Sequence, residues 1–168
     1  VQIDSQCRQK FIDAGIKDSK KLDDAKIIKL SGIIKANSVH SVIVIMPLKY
    51  NELYSKFNNL NKLLAWGHAR AIENILEKSP CRYALADKFG DENLIKNALL
   101  KNGRNINLQQ SVRGEADIAV AAASVLARAE FVNRIKELEN RYELSLSKGV
   151  SEKVIMQAKE FVNKYSYD

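Results

Sequence analysis

Along the chain, apolar positions switch between short unbroken runs and a spacing near 3.6, and the switches mark the elements. Residues 39–46 (VHSVIVIM) predict the clearest strand, stopped by Pro47. Residues 82–87 (RYALAD) predict a buried strand, and residues 106–112 a weaker third one. Between them, Ile27, Leu30, Ile33 and Ile34 fall at helical spacing within 23–36. Leu60, Leu63, Leu64, Ala71, Ile72, Ile75 and Leu76 give residues 60–76 a wide apolar face. Asp91 or Glu92 opens a helix through Leu100, which Asn102-Gly103 ends. A long helical pattern covers 116–140, and Ser151 N-caps an amphipathic helix that runs to Lys164. Strands separated by helices predict an α/β layer architecture around one sheet. Residues 1–3 read as the end of a strand, and three good strands are few for a sheet carrying this many helices. The expectation is an internal piece of a longer domain.

The 168 residues suit one domain. Seven Gly and two Pro exclude collagen-like, linker and low-complexity readings. No apolar run approaches the roughly 18 residues of a membrane span, and residues 1–4 lack the pattern of a signal peptide. Cys7 and Cys81 have neither metal-motif spacing nor the density of a secreted scaffold, so a cytoplasmic setting without membrane association is expected. Lys and Arg number 27 against 20 Asp and Glu, a net charge of +7. That excess suggests a polyanionic partner, most commonly nucleic acid. The basic residues are spread along the chain, so a basic surface must be assembled by folding.

Asp87 ends the apolar run Tyr83-Ala84-Leu85-Ala86. Functional groups gather at the carboxyl ends of strands in open α/β sheets, so Asp87 could hold a cation, or merely cap the turn that follows. Arg113-Gly114-Glu115-Ala116-Asp117 precedes the small-residue run Ala119 to Ala123. Carboxylates at a helix start are ordinary caps. The alanines, however, let a helix approach a sheet closely and bring Glu115 or Asp117 near Asp87. Carboxylates converging at about 4–6 Å repel unless a cation or proton lies between them, and Mg2+ takes such oxygen ligands.

Gly15-Ile16-Lys17-Asp18-Ser19-Lys20-Lys21-Leu22 sets three lysines and a hydroxyl in one short loop. It suits phosphate contacts, and equally a solvated loop capping the next helix. Lys49-Tyr50-Asn51-Glu52-Leu53-Tyr54 and the stretch from Asn58 to Asn61 interleave side chains that bind sugar and phosphate edges, or that simply make a turn and an N-cap. His68 stands alone and reads as a packing or hydrogen-bonding residue rather than a zinc ligand. No Ser-His-Asp triad and no Gly-rich phosphate loop is evident.

Taken together, these motifs resemble the type 2 ribonucleases H. Residues 15–22 are similar to the family's DSKKL loop. Residues 49–54 together with Asn59 to Ala69 (NLNKLLAWGHA) resemble the segment that marks its bacterial HIII branch. Asp87-Lys88-Phe89 is similar to the DQF motif, with Lys in place of Gln. Arg113-Gly114-Glu115 through Arg128 resembles KAE…AVAAASIIAR, and Leu146-Ser147-Lys148-Gly149 the LPKG turn.

The resemblance implies an RNase H-like fold, a mixed β-sheet flanked by helices, with residues 1–168 as a single catalytic domain. It implies an endoribonuclease that cuts the RNA strand of RNA–DNA hybrids by two-metal-ion catalysis, leaving 5′-phosphate and 3′-hydroxyl ends. Four carboxylates would bind Mg2+ or Mn2+: Asp87 matches the third and Glu115 the fourth, with Asp117 as the alternative. Lys17, Lys20 and Lys21 would contact hybrid phosphates, Ser19 the backbone or a 2′-hydroxyl, and Asn59 and Asn61 the nucleic acid. A monomer is expected. The family's first two acids belong to a strand that would precede Val1, and its N-terminal substrate-binding domain is not found in these residues. The stretch is therefore expected to be inactive and unstable alone. Two rival readings are a non-catalytic binder of RNA–DNA hybrids or other nucleic acid, and an unrelated α/β module.

Overall fold

The computed structural model describes residues 1–91 and 93–165. The chain divides into two compact units, Val1–Ala129 and Glu130–Asp168.

In the first unit, helix α1 (Ser5–Asp13) starts where the Asp4 carboxylate accepts the Cys7 amide at 2.7 Å. Helix α2 (Asp24–Asn37) starts in the same way, with Asp23 accepting from the Lys26 amide at 2.8 Å. Both lean on the first part of the long helix α6 (Ile118–Tyr142). Phe11 from α1 and Ile27, Leu30 and Ile34 from α2 form one core with Ala121, Ala122, Val125, Leu126 and Ala129. The alanine run therefore packs among helices, not against the sheet as the sequence suggested.

The second core of this unit supports the sheet. Helix α3 (Pro47–Phe57) and helix α4 (Leu60–Leu76) are followed by strand β1 (Tyr83–Asp87), helix α5 (Asn93–Ala98) and strand β2 (Asn107–Ser111). β1 and β2 pair in parallel, from Tyr83 opposite Asn107 to Asp87 opposite Ser111. Ala86 and Leu108 cluster with Ala65 and Ala69 of α4, Ile95 of α5 and Leu99 just after it. Only this face is covered among the described residues, and Tyr83 stays 68% exposed. The expected buried strand is a half-buried one, because side chains alternate across a sheet and a single face has a helix against it.

The expected strand at 39–46 does not form. Its one ladder contact is the antiparallel bridge between Gln2 and Val39, in which the Gln2 amide donates to the Val39 carbonyl at 2.8 Å. An apolar pattern is not enough: a strand needs a neighbour for its amides and carbonyls, and Gln2 offers one residue's worth before α1 is capped at Asp4. Asp91 does open α5, accepting the Asn93 amide at 2.8 Å, but α5 stops at Ala98, before Leu100. The alternative opener, Glu92, lies outside the described residues. The pattern had not suggested α1 or α3.

Helix α6 (Ile118–Tyr142) continues into the second unit, which also holds α7 (Glu152–Tyr165). There Tyr142, Phe161 and Tyr165 form an aromatic triangle with ring centroids 5.0–5.3 Å apart. Among the described residues no helix is long and apolar enough to cross a membrane.

Candidate metal and nucleic-acid site

Asp87 is the last residue of β1 and is exposed. The ladder continues one step past it, the Lys88 amide donating to the Ser111 carbonyl at 3.0 Å. Two residues beyond β2, Arg113 takes a left-handed conformation (φ 59°) that turns the chain into a short 3₁₀ turn, Gly114–Ala116. The Gly114 amide then donates to Asp87 Oδ1 at 3.0 Å. A Cβ at position 114 would lie 3.1 Å from Asp87 Cα and 3.3 Å from its backbone nitrogen, so only glycine permits this approach without displacement. Glu115, the next residue, is half-buried and makes no hydrogen bond or ion pair with the described residues.

Asp117 is occupied differently. Its Oδ1 accepts the Ala119 amide at 2.8 Å and so caps α6, while Oδ2 lies 3.8 Å from an Arg8 guanidinium nitrogen. Among the described residues no three His, Cys, Asp or Glu side chains gather into a ready-made metal cage. Asp87 and Glu115 nonetheless suit Mg2+ or Mn2+ chemically. Such ions are commonly held by one or two carboxylates, several waters and a substrate phosphate rather than by protein alone.

Helix α4 flanks this strand end. Asn59, exposed, caps it by accepting the Lys62 amide at 3.0 Å. Asn61, also exposed, lies against the turn after β1: its amide nitrogen would be 3.2 Å from a Cβ at Gly90. Two turns further along α4, the His68 ring sits 5.0 Å from the Phe89 ring, centroid to centroid. Burial holds the His68 imidazole below its ordinary 6.5, and the charge of Asp87 pushes it partway back up. His68 is thus the packing residue that the sequence suggests.

Glu73 was missed altogether. It is 2% exposed, and its carboxylate accepts the amides of Leu100 at 2.7 Å, Gly103 at 2.8 Å and Asn102 at 3.1 Å. These bonds tie the connection between α5 and β2 to α4. A lone acid on the apolar stripe that holds Ala69 and Ile72 was the only hint.

The lysine loop is a 3₁₀ turn, Ser19–Lys21, capped by Asp18, which accepts the Lys20 amide at 3.0 Å. Lys17, Lys20 and Lys21 are exposed, whereas Ser19 is 8% exposed. Ser19 is gripped through its main chain. Its amide donates to Ser124 Oγ at 3.4 Å, and its carbonyl accepts from Arg128 Nη1. Arg128 Nη2 also donates to Asp24 Oδ1 at 3.2 Å. Thus Asp87 and Glu115 share one strand end with Asn61 and His68 beside it. The loop lysines and Asn59 make no hydrogen bond or ion pair to those carboxylates.

A family model described as Ribonuclease HII matches residues 1–168. A curated protein named Ribonuclease HIII from Protochlamydia amoebophila is 42% identical over 151 residues, covering 90% of this chain and 50% of that protein. The chain spans about half the length of the curated relatives it matches. Among solved structures, that of Bst-RNase HIII in complex with Mn2+ superposes with a TM-score of 0.88 at 25% identity, covering 98% of this chain and 55% of that one. The structure of Aquifex aeolicus RNase H3 superposes with a TM-score of 0.77 at 29% identity, over 94% of this chain and 58% of that one.

Proposed function

Because the chain belongs to the ribonuclease HII family and, within it, stands with the bacterial ribonucleases HIII, we propose that it serves as a catalytic domain of an endoribonuclease. The bond cut is in the RNA strand of an RNA–DNA hybrid, leaving 5′-phosphate and 3′-hydroxyl ends. The observation that carries this reading is the hydrogen bond from the Gly114 amide to Asp87, which sets the turn containing Glu115 beside the carboxyl end of β1.

Asp87 and Glu115 are the residues that would hold Mg2+ or Mn2+, as the relative of known structure holds Mn2+. When bound, the cation supplies positive charge that stabilises the phosphate oxygens as the bond breaks. The chain's own residues do the positioning. The Gly114 amide fixes one Asp87 oxygen and leaves the other to face solvent and substrate. Asp117 keeps α6 capped and, through Arg8, anchored to α1, so Glu115 is favoured over it as the second ligand. Lys17, Lys20 and Lys21 present three charges to phosphates, a contact that added salt weakens steeply. Asn59 and Asn61 lie at the exposed start of α4 and offer amides to the nucleic-acid backbone, and Ser19 shapes the lysine loop. The protein acts as a monomer in the cytoplasm.

Cleavage of a hybrid with a 5′-labelled RNA strand, compared with duplex RNA and duplex DNA in Mg2+ or Mn2+ and with the strand bearing the family's first two acids supplied in trans, tests this. The hybrid alone should be cut, and Asp87→Asn should abolish cutting. Equal cleavage of duplex DNA, or an active Asp87→Asn variant, overturns the reading. Tight hybrid binding with no cleavage under any metal would favour the non-catalytic binder.

A further inference from the structure

The lysine loop presents a physical problem that the nuclease reading leaves open. Three like charges within five residues repel one another, and the exposed side chains that carry them cannot hold the loop in place. The ends of the loop are secured by Ile16 and Leu22, both buried in the first core. The middle is held by polar contacts: Asp18 caps the turn from within the loop, and the side chains that grip it from outside come from one helix.

Ser124 and Arg128 stand four residues apart on α6 and so share a face. Between them they satisfy both main-chain groups of Ser19: its amide meets Ser124 Oγ and its carbonyl meets the Arg128 guanidinium. The same guanidinium reaches Asp24 in the first turn of α2. A planar fork that bonds a carbonyl and a carboxylate at once is a task for arginine; lysine's point charge serves one partner or the other. With the Ser19 carbonyl turned inward to α6, the neighbouring Lys20 and Lys21 are exposed. The start of α6 is capped by Asp117 and follows directly from the turn that carries Glu115. One rigid helix therefore holds the carboxylate at its beginning and the phosphate-facing loop two to three turns further on.

We propose that Arg128, assisted by Ser124, is a positioning residue for nucleic-acid binding: it clamps the Ser19 peptide so that Lys17, Lys20 and Lys21 address phosphates in a fixed relation to Asp87 and Glu115. It acts through the loop, not by touching phosphate itself. The inference rests on the proposal that this loop binds the hybrid.

The test is a double-mutant cycle on RNA–DNA hybrid affinity, measured in EDTA so that no cleavage intervenes. The triple variant Lys17→Ala, Lys20→Ala, Lys21→Ala should weaken binding and flatten its salt dependence. Arg128→Lys, which keeps the charge but not the fork, should weaken binding about tenfold in the parent and less than about twofold in the triple-lysine background. If Arg128→Lys binds like the parent, Arg128 is not a positioning residue. If it weakens binding by the same factor in both backgrounds, Arg128 acts independently of the loop, and the proposal fails. If the triple-lysine variant binds as tightly as the parent, the loop reading itself fails, a result separable from the other two. Should Arg128→Lys not fold, Ser124→Ala serves in its place. It should speed amide deuterium exchange at Ser19 and Lys20 and weaken hybrid binding with no change in the melting temperature beyond about 2 °C; unchanged exchange and affinity overturn the clamp.

Discussion

The Gly114 amide reaches across 27 residues of sequence to donate to Asp87 Oδ1 at 3.0 Å. The parallel register makes this contact available, because pairing Asp87 with Ser111 leaves only Val112 and Arg113 before the glycine. The approach is close enough that an added methyl would press on Asp87 Cα and its backbone nitrogen, atoms that cannot rotate away. Gly114→Ala is therefore expected to cost about 1–3 kcal/mol, as overpacking does, and to weaken Mn2+ binding. Urea denaturation and a Mn2+ titration check the two effects. An alanine variant equal to the parent in both would show that the contact holds nothing in place.

The three acids around that contact separate by role. Asparagine at position 87 still accepts the Gly114 amide, so Asp87→Asn should keep the fold and lose cation affinity. Glu115→Gln, which breaks no hydrogen bond in the fold, should do the same. Asp117→Ala removes the α6 cap, worth about 0.5–2 kcal/mol, and a partly exposed ion pair with Arg8 worth less than about 1 kcal/mol. It should lower stability while Mn2+ affinity stays near that of the parent. Calorimetric titration on the three variants decides the matter. A cation lost with Asp117→Ala but kept with Glu115→Gln would exchange the two roles.

What could be read from the residues depended on whether each signal was local. Helix α4 was legible in its bounds, since Asn59 caps it, but not in its buried face: Leu60 and Leu64 of the expected apolar face are exposed, whereas Ala65 and Ala69 pack on the sheet. Helix α1 was not legible, because only Cys7 and Phe11 are buried and, apart from the exposed Ile12, the rest of its sequence is polar. Helix α3 did carry a stripe, with Tyr50, Leu53, Tyr54 and Phe57 at helical spacing, although none of its residues is buried. The strand expected at 39–46 had the right pattern and no ladder to join. Within the site, Asp87 and Glu115 were visible as acids at element ends. Glu73 and the Ser19 clamp were not, since their partners lie 27 to 109 residues away and a hydrogen bond to the main chain leaves no mark on the partner's identity.

Glu73 makes a sharp stability prediction. Its buried carboxylate satisfies three main-chain amides in the connection that leads to β2. Glu73→Ala strands those donors, each costing about 1–3 kcal/mol if water does not reach it. A loss of about 3 kcal/mol or more is expected, with Glu73→Gln intermediate because its amide oxygen still accepts. Urea midpoints rank the variants. An alanine variant within about 0.5 kcal/mol of the parent, the range of an ordinary surface change, would mean that the connection holds itself.

His68 links the site to pH. Burial lowers its pKa beneath 6.5, and Asp87 partly opposes this. At pH values under 6.5 the unfolded chain takes up a proton at this ring that the folded chain takes up only at lower pH. Its contribution to stability is therefore fully present above about pH 6.5 and is lost as pH falls through that value toward the folded midpoint. Removing the Asp87 charge takes away the opposing influence, so Asp87→Asn should push the His68 midpoint lower still. Proton NMR titration of the His68 ring in the parent and in Asp87→Asn measures both, with His40 as the second histidine in each spectrum. A His68 midpoint at or above 6.5 in the parent would show that burial does not dominate at this ring, and one that rises in the variant that the Asp87 charge does not reach it.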